Sequence, residues 1–106
     1  MTVKENAWSA IDQKKEWICS ISDAIWEHPE TSFEEHFAAG ILCQALEQEG
    51  FEVERGLAGM ETAFSGRFGS GAPVIGILGE YDALSGMSQK ADIFHHEEIT
   101  PGGNGH

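Results

Sequence analysis

The chain has 106 residues, with 6 Lys and Arg against 18 Asp and Glu and a formal net charge of -12. That length suits one domain with a modest core. The acidity repels phosphate backbones and anionic lipid surfaces, so neither nucleic acid nor membrane is expected as a partner.

No apolar run approaches the ~20 residues of a membrane span. The opening MTVKENAWSAIDQKKEW is polar and amphipathic and shows no export signal, so the cytoplasm is the expected compartment. Cys19 and Cys43 both fall in helical pattern and read as reduced thiols in or near the core.

The elements follow in chain order. From Ala7 to Trp26, the residues Trp8, Ile11, Ile18, Ile21 and Ile25 recur at helical spacing, and Trp17 and Trp26 widen that face. His28-Pro29 ends the helix, because the residue before proline is pushed out of the α region. A second helix is expected from Thr31-Ser32, where Ser32 and Glu35 fit an S-x-x-E capping box. Phe37, Ile41, Leu42, Ala45 and Leu46 supply its stripe, and Gly50 its C-terminal cap.

Three strands are expected next. Phe51–Arg55 alternates, so one of its faces is wet. Thr62–Phe68 is interrupted by Gly66. Val74–Leu78 is apolar on both parities, as in a strand buried on both sheet faces. The turn Gly69–Pro73 makes the second and third an antiparallel hairpin, with the third central in a mixed sheet. From residue 83 to 106 no periodicity is sustained, and an irregular loop is expected. The fold class is α/β, with a helical pair over 7–50, strands over 51–82 and that loop. An order α-α-β-β-β without closing crossovers reads as the opening portion of a larger domain.

Few residues carry chemistry. Glu80 and Asp82 lie one residue apart at a strand end, where i and i+2 share a face and could hold a metal or orient an imidazole. The plainer reading is a strand that ends in solvated acids. His95-His96-Glu97-Glu98 offers zinc-ligand types, but adjacent residues rarely converge on one ion, and a solvated loop is the plainer reading. The glycines at 56, 59, 66, 69 and 71 form no phosphate-binding loop, and Ser85 has no G-x-S-x-G elbow.

Taken in order, HPETSFEEHFAA, LEQEGFEVERG, TAFSGRFGSGAPVIGILGEYDAL and PGGNGH resemble the start of the zinc-dependent aminoacylase and carboxypeptidase-like amidohydrolases. Within that family they look most like the branch that acts on aminobenzoyl-glutamate. The resemblance runs from Trp26 to His106 and rests on the ordered series HPE-x-S-x-E-E, G-F-x-V and EYDAL. It implies a metallo-amidohydrolase catalytic domain of which this chain is the N-terminal part. A metal-activated water there attacks an amide carbonyl while a glutamate shuttles the proton.

In many members of the family a strand ends in His-x-Asp, whose histidine binds metal while the aspartate steers it. Asp82 matches that aspartate, and Glu80 stands at the histidine's position. Gly105-His106 matches the first two positions of a Gly-His-x-Cys-Gly-His type ligand motif. Asp82 is therefore carried over as an orienting residue, with Glu80 and His106 as metal candidates. The remaining ligands and the glutamate base have no counterpart here. The resemblance implies a divalent metal, Zn or Mn, in the larger protein, with none held tightly by these residues alone. It also implies an N-acyl amino acid or aminobenzoyl-glutamate as substrate, and a homo-oligomer or second subunit as partner.

Two other readings stand beside this one. A self-standing acidic module could bind a partner without catalysis. A segment built on His95, His96 and His106 could bind zinc. Arg55 and Arg67 are the cations that a substrate carboxylate would seek, and the sequence assigns neither.

Overall fold

A computed structural model describes residues 1–106. Helix α1 spans Val3–Glu27 and α2 spans His36–Gln48; strands β1 (Glu52–Arg55) and β2 (Phe64–Arg67) follow, joined through a short 3-10 turn at Leu57–Gly59.

α1 begins four residues earlier than its apolar pattern does. Thr2 accepts from the Glu5 amide while the Glu5 carboxylate accepts from the Thr2 amide, a reciprocal cap that fixes the first turn at Val3. The helix ends at Glu27 with His28 as its C-cap, as the His-Pro pair requires. None of its residues is buried. Trp8, Ile11 and Ile18 stay exposed, and so does Cys19, against the expectation of a near-core thiol.

α2 starts at His36 and not at Thr31-Ser32, and the expected capping box does not form. Ser32 donates instead to Asp82, and the Glu35 carboxylate turns back to accept from the Phe33 amide at 2.8 Å. Phe33 sits at φ 68, outside the helical region, so residues 31–35 make a turn ahead of the helix. At the other end the expectation holds. Gly50 takes φ 88, its N–H reaches Glu47 O at 3.0 Å and the Phe51 N–H reaches Leu46 O at 3.0 Å, the paired bonds of a Schellman cap.

The sheet differs from the expected three-stranded mixed one. β1 pairs antiparallel with β2, Glu52 facing Arg67 and Arg55 facing Phe64, so the hairpin joins the first two strands and not the last two. Val74–Leu78 forms no ladder, and Val74, Ile75, Ile77 and Leu78 are each between 82% and 96% exposed. The apolar pattern read there is real, but within these residues nothing covers either face of it.

The core lies where α2 crosses the hairpin. Ala38, Ala39 and Cys43 are buried on the helix, and a Cβ at Gly66 would come within 2.9 Å of the Leu46 side chain. Gly66 thus weakens the strand locally and lets α2 approach it. Phe51 and Phe68 pack ring on ring at 5.2 Å beside this contact.

This core is small for the chain. A folded protein of 11.5 kDa is expected to expose about 5,800 Å², and this one exposes 8225 Å². Its radius of gyration is 16.3 Å, against about 13 Å for a close-packed chain of this length.

The two thiols should report this packing. Cys43 is buried, and burial, ahead of the neighbouring charges, raises its pKa, whereas Cys19 is exposed. One thiol per chain should react with a disulfide reagent under native conditions, and the second only in denaturant. Two fast thiols would mean that α2 does not sit on the hairpin.

Candidate functional site

The segments that carry the family resemblance are far apart in sequence and meet in space. At the end of α1, the His28 ring donates through Nδ1 to Ala24 O at 2.8 Å and stacks on Phe37 at 4.1 Å, which turns the chain toward α2. The next residues then follow the start of α2 in an unusual way. The Glu30 carboxylate accepts from the Phe37 and Ala38 amides, both at 2.9 Å. Those are the second and third free donors of the helix, which a Ser, Thr or Asp at the N-cap ordinarily satisfies. The helix dipole favours an anion in that place.

The Glu30 carbonyl meanwhile accepts from the Ala83 amide at 2.7 Å, and Thr31 and Ala83 form a parallel bridge. Alongside it, Ser32 Oγ donates to Asp82 Oδ2 at 3.2 Å. The HPETS and EYDAL segments are therefore neighbours. The glycine-rich tail joins them: the Leu84 amide reaches Gly105 O at 2.8 Å and the Gly105 amide reaches Leu84 O at 3.0 Å. A Cβ at Gly105 would overlap the backbone of Met87, so no other residue fits there unless that backbone moves.

His106 ends beside Trp26, ring centroids 6.2 Å apart, at the rim of a 170 Å³ cleft that Ser88, Gln89 and Thr100 also line. The Trp26 indole N–H donates to Gln89 O at 2.9 Å. The buried Ser88 hydroxyl accepts from the Ile99 and Thr100 amides at 3.1 and 3.0 Å, which folds residues 88–100 into the cleft wall.

Of the expected site residues, Asp82 is half-buried and engaged, His106 is exposed at the cleft rim, and Glu80 is exposed. The Leu84–Gly105 pair sets His106 opposite Ala83, and alternate residues of paired chains face opposite ways. His106 and Asp82 therefore do not share a face. Nowhere do three His, Cys, Asp or Glu side chains converge. His95 pairs with Glu97 at 3.2 Å and is not brought to His106, so the three-histidine zinc reading fails on geometry. The side chains present do not make up the ligand set of a divalent metal.

Electrostatics around this locus are mild. Burial, and then the nearby Glu35 carboxylate, raise the Tyr81 pKa, and the Tyr81 hydroxyl donates to Thr62 O. Glu97 is held below the usual carboxylate range by its bond to Lys90 at 2.5 Å and then by His95. Arg55 is committed to Glu47 at 2.9 Å, which raises its pKa further and leaves it poorly placed as a substrate anchor.

Sequence reasoning carried Glu30 and Ser32 only as parts of the resembling series and, for Ser32, as a helix cap; it missed what they bind, and it missed Gln89. Glu30 precedes its helix by six residues, outside the window in which capping patterns are sought. Ser32 fits the spacing of a capping box whose other half points elsewhere. Gln89 clamps the loop through its side chain, which accepts from the Glu97 amide at 3.1 Å and donates to His95 O at 2.9 Å. No local pattern marks that role.

Two measurements check this geometry. Tyr81 is the only tyrosine, so alkaline titration at 295 nm reads it alone. Its midpoint should lie above the ~10 of a free phenol and return there in denaturant. A raised phenol pKa stabilises the fold below the unfolded value, and that stability is lost as pH rises through the folded one. A native midpoint at the free value would place the ring in solvent. Separately, Gly105→Ala should drive Met87 away and open the Leu84–Gly105 pair, seen as lost exchange protection of the Leu84 amide. Unchanged protection would mean that the tail is not seated as described.

No protein-family model matches the chain. Sequence comparison gives 48% identity over 97 residues, 92% of this chain and 20% of the relative, to a p-aminobenzoyl-glutamate hydrolase subunit of Escherichia coli. Thermostable carboxypeptidases 2 and 1 of Saccharolobus solfataricus are each 29% identical, over 88% and 79% of this chain and 24% and 22% of their own lengths. The chain spans about a fifth of the length of the curated relatives it matches. The resemblance first read in HPETS, EYDAL and the glycine-rich tail thus holds across nearly the whole chain, which is a sequence relative of an aminobenzoyl-glutamate hydrolase subunit and, at greater distance, of carboxypeptidases.

Proposed function

We propose that the chain is the N-terminal part of the catalytic domain of a metal-dependent amidohydrolase. The reaction is hydrolysis of the amide bond of aminobenzoyl-glutamate or a related N-acyl amino acid. The observation that carries the reading is the meeting of the resembling segments: Glu30 bonded to Ala83, Ser32 to Asp82 and Leu84 to Gly105. Segments that share the likeness and lie far apart in sequence are hydrogen-bonded neighbours, as parts of one site would be. The 48% identity to a protein named as such a hydrolase supplies the substrate class.

Asp82 is assigned the orienting role, holding a metal-binding imidazole through its free carboxylate oxygen. Glu80 and His106 are assigned as metal candidates, His106 from the cleft rim. Zinc or manganese would supply the Lewis acid and lower the pKa of a bound water. The side chains seen here do not complete that site, so hydrolysis is assigned to a longer polypeptide. A second, different polypeptide is proposed as partner because the E. coli relative is named as one subunit of its hydrolase. No helix is long and apolar enough to cross a membrane, and the cytoplasm is the proposed compartment.

A chimera tests the assignment. In it, the matched segment of the E. coli relative is replaced by this chain, and release of p-aminobenzoate is measured with added zinc or manganese. The chimera should hydrolyse aminobenzoyl-glutamate, and Asp82→Ala should lower kcat by about 10- to 100-fold, the usual cost of losing a partner behind a metal ligand. The 106-residue chain alone should release nothing above the blank. Full activity of the Asp82→Ala chimera would remove Asp82 from the site, and metal-dependent turnover by the short chain would refute its incompleteness.

A further inference from the structure

We propose that Glu30 is a positioning residue for the Asp82 segment. The inference rests on the reading of Asp82 as a site residue and gives a role to Glu30, which the HPE-x-S series includes and the site assignment does not.

Glu30 makes two kinds of bond in two directions. Its carboxylate takes both oxygens to α2, Oε2 to the Phe37 amide and Oε1 to the Ala38 amide, each at 2.9 Å. Its carbonyl takes the Ala83 amide at 2.7 Å. One residue therefore links the start of the helix that carries the buried core to the backbone immediately after Asp82. The side chain acts only on the helix and the main chain only on Ala83, so the link is mechanical. The clamped carboxylate holds Glu30 against the start of α2, and there its carbonyl meets the Ala83 amide.

Ser32, two residues on, finishes the placement by donating to Asp82 Oδ2 at 3.2 Å. Asp82 is thus held at one carboxylate oxygen by Ser32 and through the backbone of its neighbour Ala83 by Glu30. The rest of its surroundings gives little support. Residues 71–80, which lead into it, are all exposed, and on that side only Tyr81 is anchored, through its hydroxyl to Thr62 O and its ring against Phe64 at 5.7 Å.

The carboxylate matters here for its bidentate reach. Glutamine keeps one acceptor oxygen and can satisfy one amide, while alanine satisfies neither. The graded series Glu, Gln, Ala therefore separates a clamp from general loss of fold.

The test is amide hydrogen exchange read by mass spectrometry with residue-level fragmentation, on the full chain at low micromolar concentration. This reads protection in monomers and in associated chains alike. Glu30→Ala should speed exchange at Phe37 and Ala38 by about five- to tenfold, the scale of a lost helix cap. The same variant should speed exchange at Ala83 by a similar factor, although the carbonyl that Ala83 meets is still present. Glu30→Gln should lie between the two. Gly56, whose amide donates to Ala63 O at 2.8 Å beside the β1–β2 pair, should be unchanged in every variant and so reports that the fold persists.

Unchanged Ala83 exchange in Glu30→Ala, with Phe37 and Ala38 released, would overturn the proposal, because the carboxylate would then cap the helix and do nothing for the site. Equal loss at Ala83 and Gly56 in both Glu30→Ala and Glu30→Gln would overturn it too, by showing a merely structural role. Ser32→Thr, which keeps the hydroxyl, should match the parent chain at Ala83. None of these readings depends on hydrolysis, so failure of the enzymatic assignment and failure of the brace are separate results.

Discussion

The helix start and the acidic segment are held to each other through Glu30, and the rest of the site follows from that tie. An α-helix leaves its first amides without internal partners, and those donors attract an anion. Here the anion comes from a residue ahead of the turn rather than from the N-cap itself. The cost is a turn with Phe33 at positive φ, normally disfavoured for a residue with a Cβ. The gain is a rigid corner, against which residues 82–84 lie and to which the glycine-rich tail is then added. A serine or threonine N-cap would have satisfied the helix equally well, but would not have brought a main-chain carbonyl to Ala83.

Away from that corner the chain is open. α1 buries none of its residues, and Val74–Leu78 offers apolar side chains on both parities with no cover. Roughly 2,400 Å² more surface is exposed than a close-packed protein of this mass would show, an area on the scale of one side of an obligate interface. Net charge and apolar exposure oppose each other here. The formal charge of -12 disfavours self-association, while the uncovered apolar segment Val74–Leu78 favours it. The relatives are about five times as long, and a parallel sheet needs neighbours on both edges and helices on both faces.

The elements most legible in the sequence are those whose causes are local. The His-Pro break after α1, the stripe and Gly50 cap of α2, and the alternation of β1 all depend on a few adjacent residues, and all are present. What the sequence hides depends on distant partners. Ser32 and Glu35 match a capping box in spacing, but Asp82 competes for the serine hydroxyl and the Phe33 amide takes the carboxylate. Val74–Leu78 has the composition of a central strand, and composition cannot supply a ladder partner. The Glu80–Asp82 spacing points to a shared face, yet Asp82 turns to Ser32 while Glu80 stays in solvent. Gly66 reads as a weakness in its strand and is the point of closest approach between helix and hairpin.

The corner also has a kinetic side. Ser32 and Asp82 are 50 residues apart, so their meeting closes a long loop, and the entropy of that closure must be met before any contact rewards it. α2 and the β1–β2 hairpin lie wholly inside that loop and can form first from short-range contacts, shortening the effective distance between its ends. The acidic segment therefore docks late in folding, onto a surface already built. A polypeptide of this kind assembles its chemistry after its scaffold, and damage to the hairpin delays the site without touching a single one of its residues.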